Sequence, residues 1–165
     1  MKKYDEVLMK TAFLWGSLSS CKRKQVGAII SRNFRIISNG YNGTISGADN
    51  CCEVDCDVCS GSGHNPNYKP GTGKELCIRC NGKGLISKNT VVHAEANAIL
   101  SAAKVGISLE GCRVDVTLSP CVECSKLIIQ SGIKEVYYAE SYKGDEGAKF
   151  LKENGILVKH QPLNP

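Results

Sequence analysis

Val114-Asp115-Val116-Thr117-Leu118-Ser119-Pro120-Cys121-Val122-Glu123-Cys124-Ser125-Lys126-Leu127-Ile128-Ile129-Gln130-Ser131-Gly132-Ile133-Lys134-Glu135-Val136-Tyr137-Tyr138-Ala139 is the stretch that decides the fold. Val114 to Leu118 alternates apolar and polar residues, Cys121 to Ser131 carries helical periodicity, and Ile133 to Ala139 is again β-like. A strand, a helix and a strand in this order make a parallel pair with the helix as crossover. The same alternation extends outward. Ala94 to Lys104 reads as a helix before the first strand. Asp145 to Glu153 reads as a helix with acids in its first turn and Asn154-Gly155 as its stop, and Ile156 to Lys159 as a last short strand. Toward the amino terminus, Tyr4, Val7, Leu8, Thr11, Ala12, Trp15 and Leu18 recur at three and four, so Tyr4 to Ser20 forms a helix with one apolar face. Val26 to Ile30 and Phe34 to Ser38 are β-rich and separated by Ser31-Arg32-Asn33, which makes a hairpin that Gly40-Tyr41-Asn42-Gly43 closes. The fold class expected is α/β: a three-layer α/β/α domain with a five-stranded mixed sheet.

Residues 51 to 90 interrupt this order. They hold six cysteines and six glycines with few aliphatic residues, too little apolar surface for a core of their own. One domain spanning residues 1–165, with a metal-held insertion at about 51–90, is the expected organisation. The chain's 165 residues, 42% hydrophobic and 22% charged, suffice for a single core, and no apolar run approaches the ~18 residues a membrane span needs. Met1-Lys2-Lys3-Tyr4-Asp5-Glu6 lacks the continuous apolar run of a secretory signal, so a cytoplasmic location is expected. There, ten cysteines point to metal thiolates and away from a disulfide framework. The net charge of +5 suits a phosphate-bearing small molecule or an RNA.

Two short motifs carry chemistry, and each opens a predicted helix after a β-like segment. His93-Ala94-Glu95 supplies an imidazole and a carboxylate; Pro120-Cys121-Val122-Glu123-Cys124 supplies two thiols three residues apart. In the first turn of a helix that spacing puts both sulfurs on one face, where free N–H groups stabilise thiolates. His93, Cys121 and Cys124 then make a three-ligand zinc site with one open position, the signature of a catalytic centre. Zinc there activates a water, and Glu95, not itself a ligand, is placed to be the general base and acid. H-x-E combined with P-C-x-x-C resembles the motif pair of the zinc deaminases. Taken alone, His-Ala-Glu is an ordinary helix start and C-x-x-C fits a redox pair or half of a structural zinc site. Glu123 reads as a solvated first-turn acid.

The sequence resembles the deoxycytidylate (dCMP) deaminases of the cytidine deaminase superfamily. The likeness covers most of the chain outside residues 52 to 90. It rests on Cys21-Lys22-Arg23-Lys24-Gln25-Val26-Gly27-Ala28, Gly40-Tyr41-Asn42-Gly43, His93-Ala94-Glu95-Ala96-Asn97-Ala98-Ile99, and Ser119-Pro120-Cys121-Val122-Glu123-Cys124 running through to Gln130-Ser131-Gly132-Ile133-Lys134-Glu135-Val136. It implies a cytidine-deaminase-like fold and zinc-dependent hydrolysis of dCMP to dUMP and ammonia, with Glu95 protonating N3 of cytosine and then the leaving amine. It also implies that the Ala94 N–H meets the pyrimidine carbonyl, that Asn42 bonds the sugar or base edge, and that Arg23 grips the 5′-phosphate with Tyr138 or Tyr142 completing that pocket. Asn42 between Tyr41 and Gly43 also suits a turn, and Arg23 stands in a basic run that suits a solvated face. The family implies a homo-oligomer, commonly a hexamer, with dCTP and dTTP as effectors and Gly43 and Thr44 as allosteric candidates. The expected partner is the nucleotide substrate, with no membrane and no nucleic acid. A tRNA adenosine deaminase shares the zinc motifs and stays open as an alternative. So does a zinc-ribbon module that binds nucleic acid or protein.

Cys56-Asp57-Val58-Cys59-Ser60-Gly61-Ser62-Gly63 is echoed by Cys77-Ile78-Arg79-Cys80-Asn81-Gly82-Lys83-Gly84. Two such knuckles fit a four-thiolate zinc ribbon, with glycines that let backbone N–H groups face the sulfurs. Cys56, Cys59, Cys77 and Cys80 are the expected structural ligands, for at least two zinc ions per chain. The repeats are similar to the cysteine-rich units of DnaJ-type chaperones. Many dCMP deaminases place a structural zinc on mixed cysteine and histidine ligands; this chain keeps Cys21 and Cys51 but has Ser87 and its neighbours where a histidine would stand before His93. Cys52 and His64 remain possible extra ligands, and Cys112 reads as a small core residue.

Overall fold

Alternation along the central strands sorts the side chains into two cores. The computed structural model describes residues 3–71 and 73–163, and of Lys143 the backbone alone; Met1 and Lys2 of the amino-terminal stretch lie outside. The elements are α1 (Lys3–Gly16), β1 (Gly27–Arg32), β2 (Arg35–Tyr41), β3 (Glu53–Asp55), β4 (Leu85–Ser87), α2 (Ala94–Lys104), β5 (Arg113–Leu118), α3 (Val122–Gln130), β6 (Glu135–Glu140), a 3-10 turn at Lys143–Asp145, α4 (Glu146–Glu153) and β7 (Leu157–His160). They divide into two compact units, one of Met1–Ser19, Gln25–Gly43 and Val92–Pro165, the other of Ser20–Lys24 and Thr44–Val91.

In the first unit the sheet order is β2-β1-β5-β6-β7. β1 is antiparallel to β2 and β5, while β5, β6 and β7 run parallel. Ala28, Ile30, Val114, Val116, Val136 and Tyr138 face α2, α3 and α4, packing with Ala98, Ile128 and Leu151. The alternate residues Ile29, Tyr137 and Ala139 face Leu8, Met9 and Ala12 of α1. Period-2 strands sandwiched by helices on both faces are the three-layer α/β/α arrangement, with a mixed five-stranded sheet. Cys112 is fully buried in the larger core.

The departures from the expected boundaries have local causes. The first helix stops at Gly16, not Ser20, because the next N–H groups turn tighter: Leu18 bonds to the Trp15 carbonyl and Ser19 to that of Gly16. The hairpin turn is Asn33-Phe34, with φ 49° and 61°, and not Ser31-Arg32-Asn33. Positive φ at both central residues matches the twist of the flanking strands, so Arg32 stays paired and a bulge between Ile30 and Ser31 absorbs the register. The last helix begins at Glu146; Asp145 stands before it in the left-handed region at φ 58°.

On the α1 side of the sheet two paired charged residues, Arg113 and Asp115, are buried. Arg113 bonds Asp115 through Nε at 2.9 Å and Asp5 through Nη1, and its guanidinium lies 3.4 Å over the Tyr137 ring. Burial pushes Asp115 up to about 6, against the pull of Arg113.

In the second unit β3 and β4 form a short antiparallel pair. Cys21 and Cys52 are joined as a disulfide with Cα atoms 5.1 Å apart. That bond corrects the expectation of reduced thiols at these two positions and removes them from the pool of free ligands. It does not make the disulfide framework that the sequence argued against, because the other eight cysteines are free.

Candidate metal centres

His93 and Cys121 are the N-cap residues of α2 and α3, with nearly equal backbone angles of φ −74°, ψ 157° and φ −74°, ψ 167°. Parallel strand topology delivers both helix starts to one end of the sheet. His93 Nδ1 lies 3.5 Å from Cys121 Sγ and 3.3 Å from Cys124 Sγ. A tetrahedral zinc with sulfur at ~2.3 Å and nitrogen at ~2.0–2.1 Å requires N···S separations of ~3.5 Å. The donor set therefore fits zinc in both chemistry and spacing. Hydrogen bonds with Cys124 and His93 pull Cys121 down to about 3, which favours its thiolate form, while the bond to Cys121 and burial push Cys124 up. The Cys124 N–H also reaches Cys121 Sγ at 3.5 Å, an N-cap bond with a sulfur acceptor.

Glu95, in the first turn of α2, is only 4% exposed. Burial pushes its carboxyl up, opposed by its own backbone N–H and by His93, and Cys124 is a hydrogen-bond partner. A carboxyl whose proton affinity is raised by a dry site can both take and return a proton. A cavity of about 430 Å³ opens beside the ligands, lined by His93, Pro120, Cys121, Val122, Glu123, Tyr142, Glu146 and Gly147. The three metal-capable side chains and this cavity define one open-sided centre.

The other residues singled out by sequence fall in several places. Ala94 is fully buried at the first position of α2, where its N–H has no intrahelical partner. Asn42 accepts the Val26 N–H on Oδ1 at 2.8 Å and donates its own N–H to the Val26 carbonyl at 3.0 Å, anchoring the end of the hairpin. Gly43 forms a two-way backbone bridge with Val92, next in chain to His93. Thr44 and Arg23 belong to the second unit. There the Arg23 Nη1 donates to Ser87 Oγ at 3.0 Å and its N–H to Glu53, while Nε is buried without a partner among the described residues. Tyr138 packs in the core and stacks on His160; of the two tyrosines, Tyr142 is the one on the cavity wall.

The second unit holds the other cysteine cluster, Cys56, Cys59, Cys77 and Cys80, all buried. The Sγ atoms of Cys56 and Cys77 are 3.8 Å apart and those of Cys59 and Cys80 are 3.7 Å apart. Four sulfurs ~2.3 Å from a tetrahedral zinc stand ~3.8 Å from one another, so this set fits as well. The sequence repeat becomes a repeat of bonds. Gly63 and Gly84 each donate N–H to the second sulfur of their own knuckle at 3.3 Å, and each gives its carbonyl to the first cysteine N–H of the other. A Cβ on Gly63 would lie 2.4 Å from the Gly82 carbonyl and one on Gly84 2.2 Å from that of Gly61, so the two knuckles interlock only with glycine there. His64 and Cys51 stand outside this cluster; the Cys51 thiol donates to the Glu53 carbonyl at 3.2 Å.

A mixed sheet with two helix N-termini presenting one histidine and two cysteines, and a buried glutamate two residues after the histidine, defines a zinc-dependent deaminase class of site. Comparison with known proteins gives the family. Residues 2–140 match the cytidine and deoxycytidylate deaminase zinc-binding region, and the chain belongs to that family. It is 37% identical to the deoxycytidylate deaminase of Enterobacteria phage T4, over 94% of this chain and 88% of that protein. It is 35% identical to the ComE operon protein 2 of Bacillus subtilis, over 98% of this chain and 72% of that one. Among solved structures, the dCMP deaminase of cyanophage S-TIM5 in complex with dCMP and dUMP shares 34% identity and a TM-score of 0.77, with 98% of each chain covered.

Sequence reasoning missed Glu146 and Gly147 on the cavity wall. A Cβ on Gly147 would fall 2.0 Å from the Pro120 carbonyl, so α4 can approach the ligand loop closely only through glycine. A glycine in the first turn of an otherwise ordinary helix was the available signal.

Proposed function

We propose that this protein is a zinc-dependent deaminase that hydrolyses dCMP to dUMP and ammonia. The observation that carries the reading is the triangle of His93 Nδ1 with the Cys121 and Cys124 sulfurs at 3.5 and 3.3 Å, with Glu95 buried beside it. Zinc held by these three residues would supply an activated water and a positive charge. The protein's own share is proton handling and orientation. Glu95 takes a proton from the attacking water as the C4–O bond forms and passes it to N3, then takes the second proton from the new C4 hydroxyl and delivers it to the amine as the C4–N4 bond breaks and C4=O forms, so that water and dCMP become ammonia and dUMP. Ala94 would offer its N–H to the pyrimidine carbonyl. The Asn42 side chain, with Oδ1 held by Val26, would offer its amide nitrogen to sugar or base. Arg23 is proposed for the 5′-phosphate on the family likeness, its Nε having no partner among the described residues. Of the two tyrosines, Tyr142 is favoured over Tyr138 as a substrate contact by its place on the cavity wall.

The four buried thiols of the second unit would hold a separate structural zinc, for two ions per chain. A cytoplasmic location is proposed on the two thiolate sites, which suit a reducing compartment, with the single Cys21–Cys52 disulfide standing against it. Effectors such as dCTP and dTTP at Gly43 and Thr44 would act on His93 through the Gly43–Val92 bridge. A homo-oligomer, a hexamer as the family implies, is supported by the apolar side chains Tyr4, Val7, Leu14 and Leu18 exposed along and just after α1.

The test is direct: zinc-loaded protein is given dCMP, CMP, cytidine and an adenosine-containing tRNA anticodon stem, and ammonia and products are measured. dUMP from dCMP is expected. No dUMP with or without dCTP refutes the assignment, and inosine from the stem-loop alone would move it to the tRNA deaminases.

A further inference from the structure

The segment 141–145, which carries Tyr142 to the cavity wall, is tied down by a single carboxylate. Gly144 and Asp145 are both left-handed, at φ 70° and 58°. Two such residues in succession, one with a side chain, persist only where the surroundings hold them. The surroundings here are a ring of hydrogen bonds. The Tyr142 N–H donates to Ser119 Oγ at 2.8 Å, the Ser119 hydroxyl donates to Asp145 Oδ1 at 2.8 Å, and the Asp145 N–H returns to the Tyr142 carbonyl at 3.0 Å. The other oxygen, Oδ2, accepts the Ser141 hydroxyl at 2.9 Å, with the Tyr138 hydroxyl 3.5 Å away. Ser119 is 2% exposed, is fixed to β6 by its N–H on the Glu140 carbonyl at 2.7 Å, and stands two residues before the ligand Cys121. Burial pushes the Asp145 carboxyl up, but the hydroxyls of Ser119 and Ser141 outweigh it and hold the group below the usual range, so it stays an acceptor.

We propose that Asp145 is a positioning residue for substrate binding: through Ser119 it clasps the 141–145 loop and fixes Tyr142 on the wall of the cavity. No contact of Asp145 with substrate is required. The ligand Cys121 is held independently, because its carbonyl accepts the Ser125 N–H and hydroxyl, both at 2.9 Å, and its sulfur accepts the Cys124 N–H. Loss of the clasp therefore loosens substrate binding and leaves the metal centre standing. The kinetic part of the inference rests on the dCMP reading above.

The informative variant is Asp145→Gly, which keeps a left-handed backbone without strain and removes the carboxylate together with its methylene. Asp145→Asn, an amide that tolerates the same conformation and still accepts from Ser119, is the rescue. Without any substrate, amide hydrogen exchange at Tyr142 should rise at least ~10-fold in Asp145→Gly and return toward the parent rate in Asp145→Asn. With dCMP, Asp145→Gly should raise KM about tenfold with kcat within about threefold and zinc content unchanged. In a Tyr142→Ala background the same change should add little to KM, since the effect passes through Tyr142. Unchanged exchange at Tyr142 overturns the clasp. Accelerated exchange with an unchanged KM, or additive effects in the double variant, overturns the positioning role. A parent enzyme inert toward dCMP overturns the substrate assignment alone, and the clasp is then decided by exchange.

Discussion

Gly40 is where the sheet meets the helix that carries His93 and Glu95, and Gly40→Ala tests how tightly that helix must sit. A Cβ at Gly40 would lie 2.5 Å from both the Ala94 carbonyl oxygen and the Ala98 nitrogen, where ordinary contact begins at 3.4 Å. Both obstacles are backbone, so neither can swing aside, and α2 must retreat by about 0.9 Å. Two bonds tie the helix to β2: Ser38 Oγ to the Ala98 carbonyl at 2.6 Å and Asn97 Nδ2 to the Tyr41 carbonyl at 2.8 Å. The retreat stretches both to or past the limit of a hydrogen bond. Overpacking costs about 1–3 kcal/mol and weakening the two bonds about 1 kcal/mol more, giving about 2–4 kcal/mol in urea melts. The chemical effect is larger, because a displacement near 1 Å at a reacting centre can cost about 10²-fold. The assay is turnover of dCMP per zinc-loaded molecule, read at a temperature where the variant is still folded. Full turnover with stability within about 0.5 kcal/mol of the parent would refute the idea that close approach at Gly40 sets the ligand geometry.

Other expectations can be checked with the same preparations. Glu95→Gln should lower kcat by about 10²–10⁴ while zinc content and melting stay near the parent values; retained turnover would remove Glu95 from proton transfer. Cys56→Ser and Cys80→Ser should each lower bound zinc from two ions per chain to one and reduce the melting temperature, with the histidine centre still loaded; unchanged metal content by mass spectrometry would exclude the four-thiolate site. Arg113→Met leaves Asp115 and Asp5 without their guanidinium and should destabilise by about 3–5 kcal/mol. The loss should be greater at pH 8 than at pH 5. With its cation gone, Asp115 rises above its present value of about 6, holds its proton longer folded than unfolded, and so loses stability as pH climbs. A pH-independent loss would contradict that cause.

The parts legible in the sequence were those where one local pattern decides one local structure. Val114 to Leu118 alternates because one face of β5 supplies Val114 and Val116 to the larger core while the other carries Asp115 in its pairing with Arg113, and Ala94 to Lys104 came out with its bounds unchanged because Ala94, Ala98 and Ala102 recur every fourth residue on its buried face. The grouping of His93, Cys121 and Cys124 was legible because their spacing at two helix starts brings the three donor atoms together. What escaped depends on contacts far apart in the chain. Asp145 has the composition of a first-turn acid, and only its meeting with Ser119, 26 residues earlier, pulls it out of the helix and into the left-handed region. Gly147 is likewise an ordinary helical glycine until Pro120 is known to press on it. Cys21 and Cys52, 31 residues apart, carry no local sign of pairing.

The chain contains C-x-x-C three times, at Cys56 and Cys59, Cys77 and Cys80, and Cys121 and Cys124, and the backbone around each decides what the pair can do. In the knuckles, left-handed residues follow the second cysteine, Ser60-Gly61 in one and Asn81-Gly82 in the other, so the chain curls N–H groups onto its own sulfurs. Each knuckle then docks on the other through glycine, which supplies four thiols no more than 6% exposed and leaves no ligand position for a substrate. In the third pair the chain after Cys121 becomes α3 instead. The helix puts the Cys124 N–H on Cys121 Sγ but brings no second pair of thiols, and the remaining donor comes from a second helix start, His93, with Pro120 and Tyr142 along the open side. The same thiol spacing is thus closed by a partner knuckle and left open by a helix, which is the physical ground for assigning stability to the first and chemistry to the second. A fourth protein donor at the helical site is the feature that would reverse the assignment, and among the described residues the group there contains only three.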